Sequence, residues 1–217
     1  EGRKMLYTKK QLEVVKFASK DAGRYALNGV YLDPGGDTVA TDAHILVKVT
    51  ANGAGVNKEE FPSLKSGTPI DALPDDGIII PADIVKDVIK NIPKGNGAQY
   101  LKAAALIKAD DDAVSFATTT LEREKTETGK RIDGTFPKVD QVIPQFETPE
   151  YTRIGVNADY LADLAKFAAR ENGVVELHIP HDATKTIVIK SVDIIGEEDI
   201  FGVLMPMLLP DKEADGV

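Results

Sequence analysis

One arrangement of elements recurs three times along this chain, and it constrains the fold more than any single motif. Residues 3–7 (RKMLY) read as a short strand, Thr8 as a helix N-cap, and the segment after it as a helix over 8–20. Strand-like segments follow at 26–33, 38–43 and 45–50, with Pro34-Gly35-Gly36-Asp37 as a turn. The order starts again at Gly77. An apolar strand (77–81) leads into a helix (82–92) with Ile84, Val85, Val88, Ile89 and Ile92 on one face, then strands at 100–109, 113–122 and 125–132. A third round begins at Thr152: a strand (152–157) ending in the candidate N-cap Asn157, a helix (158–170), and strands at 174–179, 186–191 and 201–207. Each β-α-β-β-β unit carries one helix stripe and one sheet face that need burial, so an α+β fold built from packed units is expected.

The length of 217 residues suits one large domain or two small ones. The expected division is 1–145, holding two units around an irregular Gly-, Pro- and Ser-rich insertion at 51–76, and 146–217, holding one unit and a polar tail. Cysteine is absent, which excludes disulfides, a thiolate nucleophile and Cys-ligated metal sites. The apolar runs are too short to span a bilayer and no secretory leader is visible, so a cytoplasmic location away from membranes is expected. The net charge is −9. Bulk charge therefore does not hold this chain on nucleic acid, and any such contact needs a local basic face. The first helix region supplies one, with Lys9, Lys10, Lys16 and Lys20 against Glu13 alone.

Catalytic signatures are missing. No phosphate-binding glycine loop, nucleophile elbow or zinc-helix motif occurs. His178-Ile179-Pro180-His181-Asp182 and Asp110-Asp111-Asp112 read as turns before they read as metal ligands. Asp42 and His44 alternate on a strand with no marked nucleophile beside them. Neither catalytic residues nor a cofactor or metal is expected.

Three segments are more specific. Leu27-Asn28-Gly29-Val30 precedes Val39-Ala40-Thr41-Asp42-Ala43-His44-Ile45-Leu46. Ile132-Asp133-Gly134-Thr135-Phe136-Pro137 precedes Val142-Ile143-Pro144. Val203-Leu204-Met205-Pro206-Met207-Leu208-Leu209 lies near the C-terminus. In this order they resemble the β sliding clamp of bacterial DNA polymerase III. The resemblance sets residues 1–145 against that family's middle domain and 150–209 against the second half of its last. It implies a DNA-clamp fold of three β-α-β-β-β repeats, and a homo-oligomer, since the family's ring holds twelve such units.

The resemblance also implies a hydrophobic peptide-binding cleft walled by Leu27, Thr41, Leu46, Pro137, Val142, Val203, Met205, Pro206, Met207 and Leu209, with His44 at its rim. Its partners would be peptides of a DNA polymerase, the clamp loader or repair proteins. Duplex DNA would be contacted without sequence preference by Lys9, Lys10, Lys16, Lys20, Lys86, Lys90, Lys166 and Arg170. The implied role is a non-catalytic processivity factor; the alternative is an adaptor or decoy that binds the same peptides without encircling DNA. Three departures stand out: Ala43 replaces the family's Gly, and Ile45 and Leu208 replace Arg, making the cleft more apolar and less basic. The alternation of Val203, Met205 and Met207 fits a core strand equally well, and the tail 210–217 is long enough to cover the cleft.

Overall fold

The computed structural model describes residues 4–51, 60–94, 98, 101–111, 113–144, 148, 150–169, 173–192 and 200–209. The chain divides into two compact units, residues 1–138 and 139–217, compared with the expected boundary at 145/146.

The first unit consists of two repeats that trade their leading strands. β1 (Leu6–Thr8) leads the first repeat, followed by β2 (Gly29–Leu32), β3 (Thr38–Thr41) and β4 (Leu46–Val49). β5 (Ile78–Pro81) leads the second, followed by β6 (Ala103–Ala109), β7 (Val114–Thr119) and β8 (Glu124–Gly129). Yet the sheets are ordered β1-β6-β7-β8 and β4-β3-β2-β5. β1 crosses to the second repeat, with Tyr7 opposite Ala104, and β5 crosses to the first, with Ile80 opposite Val30, both antiparallel. The exchange merges the two repeats around one core, in which Tyr7, Leu12, Val30 and Leu32 pack with Ile80, Val85, Leu106 and Phe116. Tyr7 meets Phe116 edge to face at 6.1 Å.

Local chemistry starts and stops these elements. Thr8 and Gln11 form a reciprocal capping box at α1 (Lys9–Leu12). The expected helix over 8–20 is corrected here: after one α turn the chain tightens into a 3-10 helix over Glu13–Phe17. The β-branched pair Val14 and Val15, both buried, fits a short tight turn better than a long helix. A second 3-10 segment, Ala22–Leu27, takes the first two residues of the strand expected at 26–33, which runs over Gly29–Leu32. α2 (Ala82–Asn91) follows the amphipathic pattern and fully buries Val85 and Val88, worth about 1.5–3 kcal/mol each by transfer.

The described part of the irregular 51–76 stretch is tied to the first unit. Phe61 is buried against Leu6, Ala103 and Ala105. Ile70 donates its N–H to the Leu106 carbonyl and accepts from Met5. The Glu124 carboxylate accepts the Lys65 and Ser66 N–H groups at 2.8–3.1 Å, and these bonds, the Lys65 one foremost, hold its pKa below the ordinary glutamate value. Residues 52–59 lie outside the described residues.

Between β3 and β4 the Asp42 carboxylate accepts the His44 and Ile45 N–H groups, which lowers its pKa. Ala43 sits inside this turn at φ +80°, a left-handed conformation that costs an L-residue more than glycine.

The second unit is a single repeat. It holds α3 (Val139–Val142), α4 (Ala158–Ala168), β9 (Val175–His178), β10 (Ile187–Ser191) and β11 (Phe201–Leu204), with sheet order β11-β10-β9. Asn157 does cap α4, its Oδ1 accepting the Asp159 and Tyr160 N–H groups at 3.0 Å. The core is small: Ala168, Ile187, Ile189 and Leu204, flanked by Ile154, Val156, Leu161 and Leu164. The strand expected at 152–157 makes one antiparallel bridge, Gly155 to Met207, rather than a ladder. Glycine is required there, since a Cβ would lie 2.7 Å from the Met207 carbonyl oxygen.

Two outcomes follow from the first unit. Because the Glu124 pKa is lowered on folding, the clasp it makes is complete above the ordinary glutamate range and is lost as pH falls through its depressed folded value. Hydrogen exchange at the Lys65 and Ser66 amides, corrected for intrinsic rate, is expected to speed up over that descent, and Glu124→Gln to speed it already at neutral pH. Ala43→Gly is expected to raise unfolding stability by about 0.5–1 kcal/mol, the relief at φ > 0 exceeding the added freedom of the unfolded chain, as read by chemical denaturation.

Candidate functional site

The last strand ends for a chemical reason. Pro206 has no N–H, so the β10–β11 ladder cannot run on past Met205. Beyond the ladder the Met207 N–H bonds to the Gly155 carbonyl at 2.9 Å. Leu204 turns inward and is buried, whereas Val203, Met205 and Met207 remain 57%, 67% and 55% exposed. Those exposures decide between the two readings of their alternation: the three side chains are not core.

They line a pocket of about 620 Å³, within the range of small-ligand sites. Val203, Leu204, Met205, Pro206 and Met207 come from β11 and the residues after it, and Asn157, Tyr160, Asp163 and Leu164 from the cap and first two turns of α4. Gly202 lets the helix approach closely, since a Cβ there would fall 2.7 Å from Leu164 Cδ2. The walls are mostly apolar and built of flexible thioethers, which accept varied apolar side chains. Tyr160 and Asp163 add polar atoms at one side, and Asp163 makes that side acidic. Sequence spacing missed these two because they fall on the outward stripe of an amphipathic helix; the signal available was the Asn157 cap, which fixes where the first turn of α4 begins.

Of the expected cleft residues, Val203, Met205, Pro206 and Met207 are thus brought together, while Leu209 packs over Gly155 and Val142 is exposed on α3. Leu27, Thr41, His44, Leu46 and Pro137 belong to the first unit. There Thr41 is buried, its Oγ1 accepting the Ala43 N–H, Leu27 and Leu46 are half-buried, and His44 and Pro137 are exposed. Behind Pro137, Phe136 stacks on Tyr31 with ring centroids 4.9 Å apart, and Ile132 bridges to Ile79, so the 132–136 segment is built into the packing of the first unit.

The expected phosphate-contacting lysines are all exposed. Lys9 and Lys16 flank Glu13 at 3.8 and 3.6 Å, and Lys90 donates to Asp87 at 2.6 Å, which raises its pKa. Lys10, Lys20, Lys86 and Lys166 stand in solvent, and Arg170 lies outside the described residues. Among the described residues no group of three His, Asp or Glu side chains is placed to hold a metal ion. His178 pairs with Glu176 at 3.3 Å, and Asp182 accepts both the hydroxyl and the N–H of Thr184, closing a turn and lowering its own pKa. No helix among the described residues is long and apolar enough to cross a membrane.

Neither a protein-family model nor a curated protein matches the sequence. Solved structures do match in fold. A DnaN sliding clamp (DNA polymerase III subunit beta) from Bartonella birtlesii, bound to griselimycin, superposes with a TM-score of 0.60 at 19% identity, over 97% of this chain and 52% of that one. DNA polymerase III subunit beta from Borrelia burgdorferi, in complex with a natural product, gives 0.61 at 14% identity, over 92% and 46%. The Helicobacter pylori beta clamp in complex with diflunisal gives 0.58 at 10% identity, over 94% and 48%. The chain spans about half the length of these proteins. Its α+β architecture of β-α-β-β-β repeats is the fold of the DNA polymerase III beta sliding clamps.

Proposed function

We propose that this chain is a non-catalytic, clamp-like docking protein. It holds short apolar peptide segments of a DNA polymerase, clamp loader or repair protein in the pocket between α4 and the 203–207 segment, and it touches duplex DNA through lysines on its helices. The observation that carries the docking half is the exposure of Met205 and Met207 around a roomy apolar pocket. A protein whose work is packing alone has no reason to leave three large apolar side chains of one segment in water. The DNA half rests on the fold and on the exposed Lys10, Lys20, Lys86 and Lys166 in a chain of net charge −9. Contacts of this kind go to phosphates and carry no sequence information.

The rival reading is an adaptor or decoy that takes the same peptides without encircling DNA. Two measurements separate them. A fluorescent peptide from the C-terminal segment of a replicative DNA polymerase is expected to bind, and Met205→Ala with Met207→Ala to weaken it about tenfold or more by removing anchor contacts. Unchanged affinity in that double variant removes the pocket from the proposal. Affinity for a linear duplex is expected to fall steeply with salt, and Lys10→Ala and Lys86→Ala each to reduce the slope of log affinity against log salt by about one. Peptide binding with no salt-sensitive DNA binding selects the decoy.

A further inference from the structure

We infer that the segment held in this pocket carries an arginine beside its apolar anchors, and that Asp163, flanked by the rings of Tyr160 and Phe167, receives it. The inference rests on the docking reading above and adds to it the chemistry of the partner.

Charge is divided unevenly between the two units. Residues 139–217 hold 15 Asp and Glu against 6 Lys and Arg, so this unit alone accounts for the net charge of −9. Residues 1–138 balance, with 20 of each sign. A partner approaching the unit that bears the pocket therefore meets a negative field, which favours encounter with cations over anions. The pocket has the same sign. Among the described residues that line it, Asp163 alone is charged. The wall over 203–207 brings apolar side chains and no basic one. The Asp163 carboxylate is exposed and, among the described residues, has no hydrogen-bond or ion-pair partner, Lys166 three residues on included.

Helical spacing supplies the rest of the site. Residues three and four apart are neighbours on a helix surface, so within α4 Asp163 stands one turn from Tyr160 and one turn from Phe167. Those rings are 64% and 73% exposed, whereas Leu161 and Leu164 of the same helix pack against the core. A carboxylate with an open aromatic ring on either side suits a guanidinium better than any other side chain. The fork of arginine pairs with the carboxylate oxygens while its plane, weakly hydrated, lies on a ring. An ammonium makes the ion pair but stacks less well, and a carboxylate is repelled. The apolar residues of the same segment then fill the space between the thioethers of Met205 and Met207.

The probe is the fluorescent polymerase peptide, made as a set in which each position flanking its apolar residues is in turn Arg, Lys, Gln or Glu. Binding of the set to the full chain is read by anisotropy at low and at physiological ionic strength. At one or two positions Arg is expected to bind about tenfold tighter than Glu at low ionic strength, with Lys and Gln between them, and the spread to shrink with salt. Asp163→Lys is expected to reverse the order of Arg and Glu at those positions. Glu150 is exposed and outside the pocket lining, so Glu150→Lys changes the net charge equally and is expected to keep the order. Phe167→Ala is expected to bring Arg down towards Lys. The inference is overturned if the peptides bind through Met205 and Met207 with no position preferring Arg. It is also overturned if Asp163→Lys changes the order no more than Glu150→Lys does, or if Arg keeps its full lead over Lys in Phe167→Ala. If no peptide of the set binds, or binding is indifferent to the double variant Met205→Ala, Met207→Ala, the docking reading itself fails and this inference falls with it.

Discussion

The exchange of β1 and β5 between the two halves of the first unit is the constraint on which the rest depends. Without it, each repeat would be a helix on a three-stranded sheet with two raw edges and a thin core. With it, Tyr7 and Leu12 of one repeat pack against Leu106 and Phe116 of the other, and neither sheet can form whole alone. The second unit holds a single repeat. Its buried cluster of Ala168, Ile187, Ile189 and Leu204 is a fraction of the first unit's core, although its helix is capped equally well. The difference lies in how much apolar surface a partner can cover, and local propensity does not supply that.

Much of the architecture was legible from hydrophobic period and punctuation. Ile78 to Ile80, the 82–92 stripe and the Asn157 cap marked elements at or near their true bounds. Period alone was a poorer guide where the chain is tightly wound: Leu12, Val14, Val15 and Phe17 have helical spacing but sit on one α turn followed by a 3-10 turn. The 51–76 stretch read as an irregular insertion because its Gly, Pro and Ser residues break any hydrophobic period. Four apolar residues at irregular spacing, Phe61, Leu64, Ile70 and Leu73, tie it down. The trade of strands was invisible in sequence for a general reason. Alternation says which face of a strand is apolar, and says nothing about which strand lies beside it.

The site divides the same way. The Met-Pro-Met segment was conspicuous, and its methionines continue the outward alternation begun at Val203, with the proline ending the ladder. The helix half of the pocket, Tyr160 and Asp163, was hidden because polar residues on an amphipathic helix normally signify only solvent. Asp163 gives an otherwise apolar pocket one acidic edge, so a bound segment that brings a donor or a cation to that side gains over one that brings a carboxylate.

The strand trade also sets an order of events during synthesis. β1 leaves the ribosome long before its partner β6, which lies almost a hundred residues downstream. β2, β3 and β4 can form their hairpins at once, but β2 keeps an open edge until β5 emerges. The nascent chain must therefore carry β1 unpaired while most of the first unit is being made. β5 emerges in time to complete the first repeat's sheet before β6 follows to take up β1, so the first unit closes last at its N-terminal strand pair β1–β6.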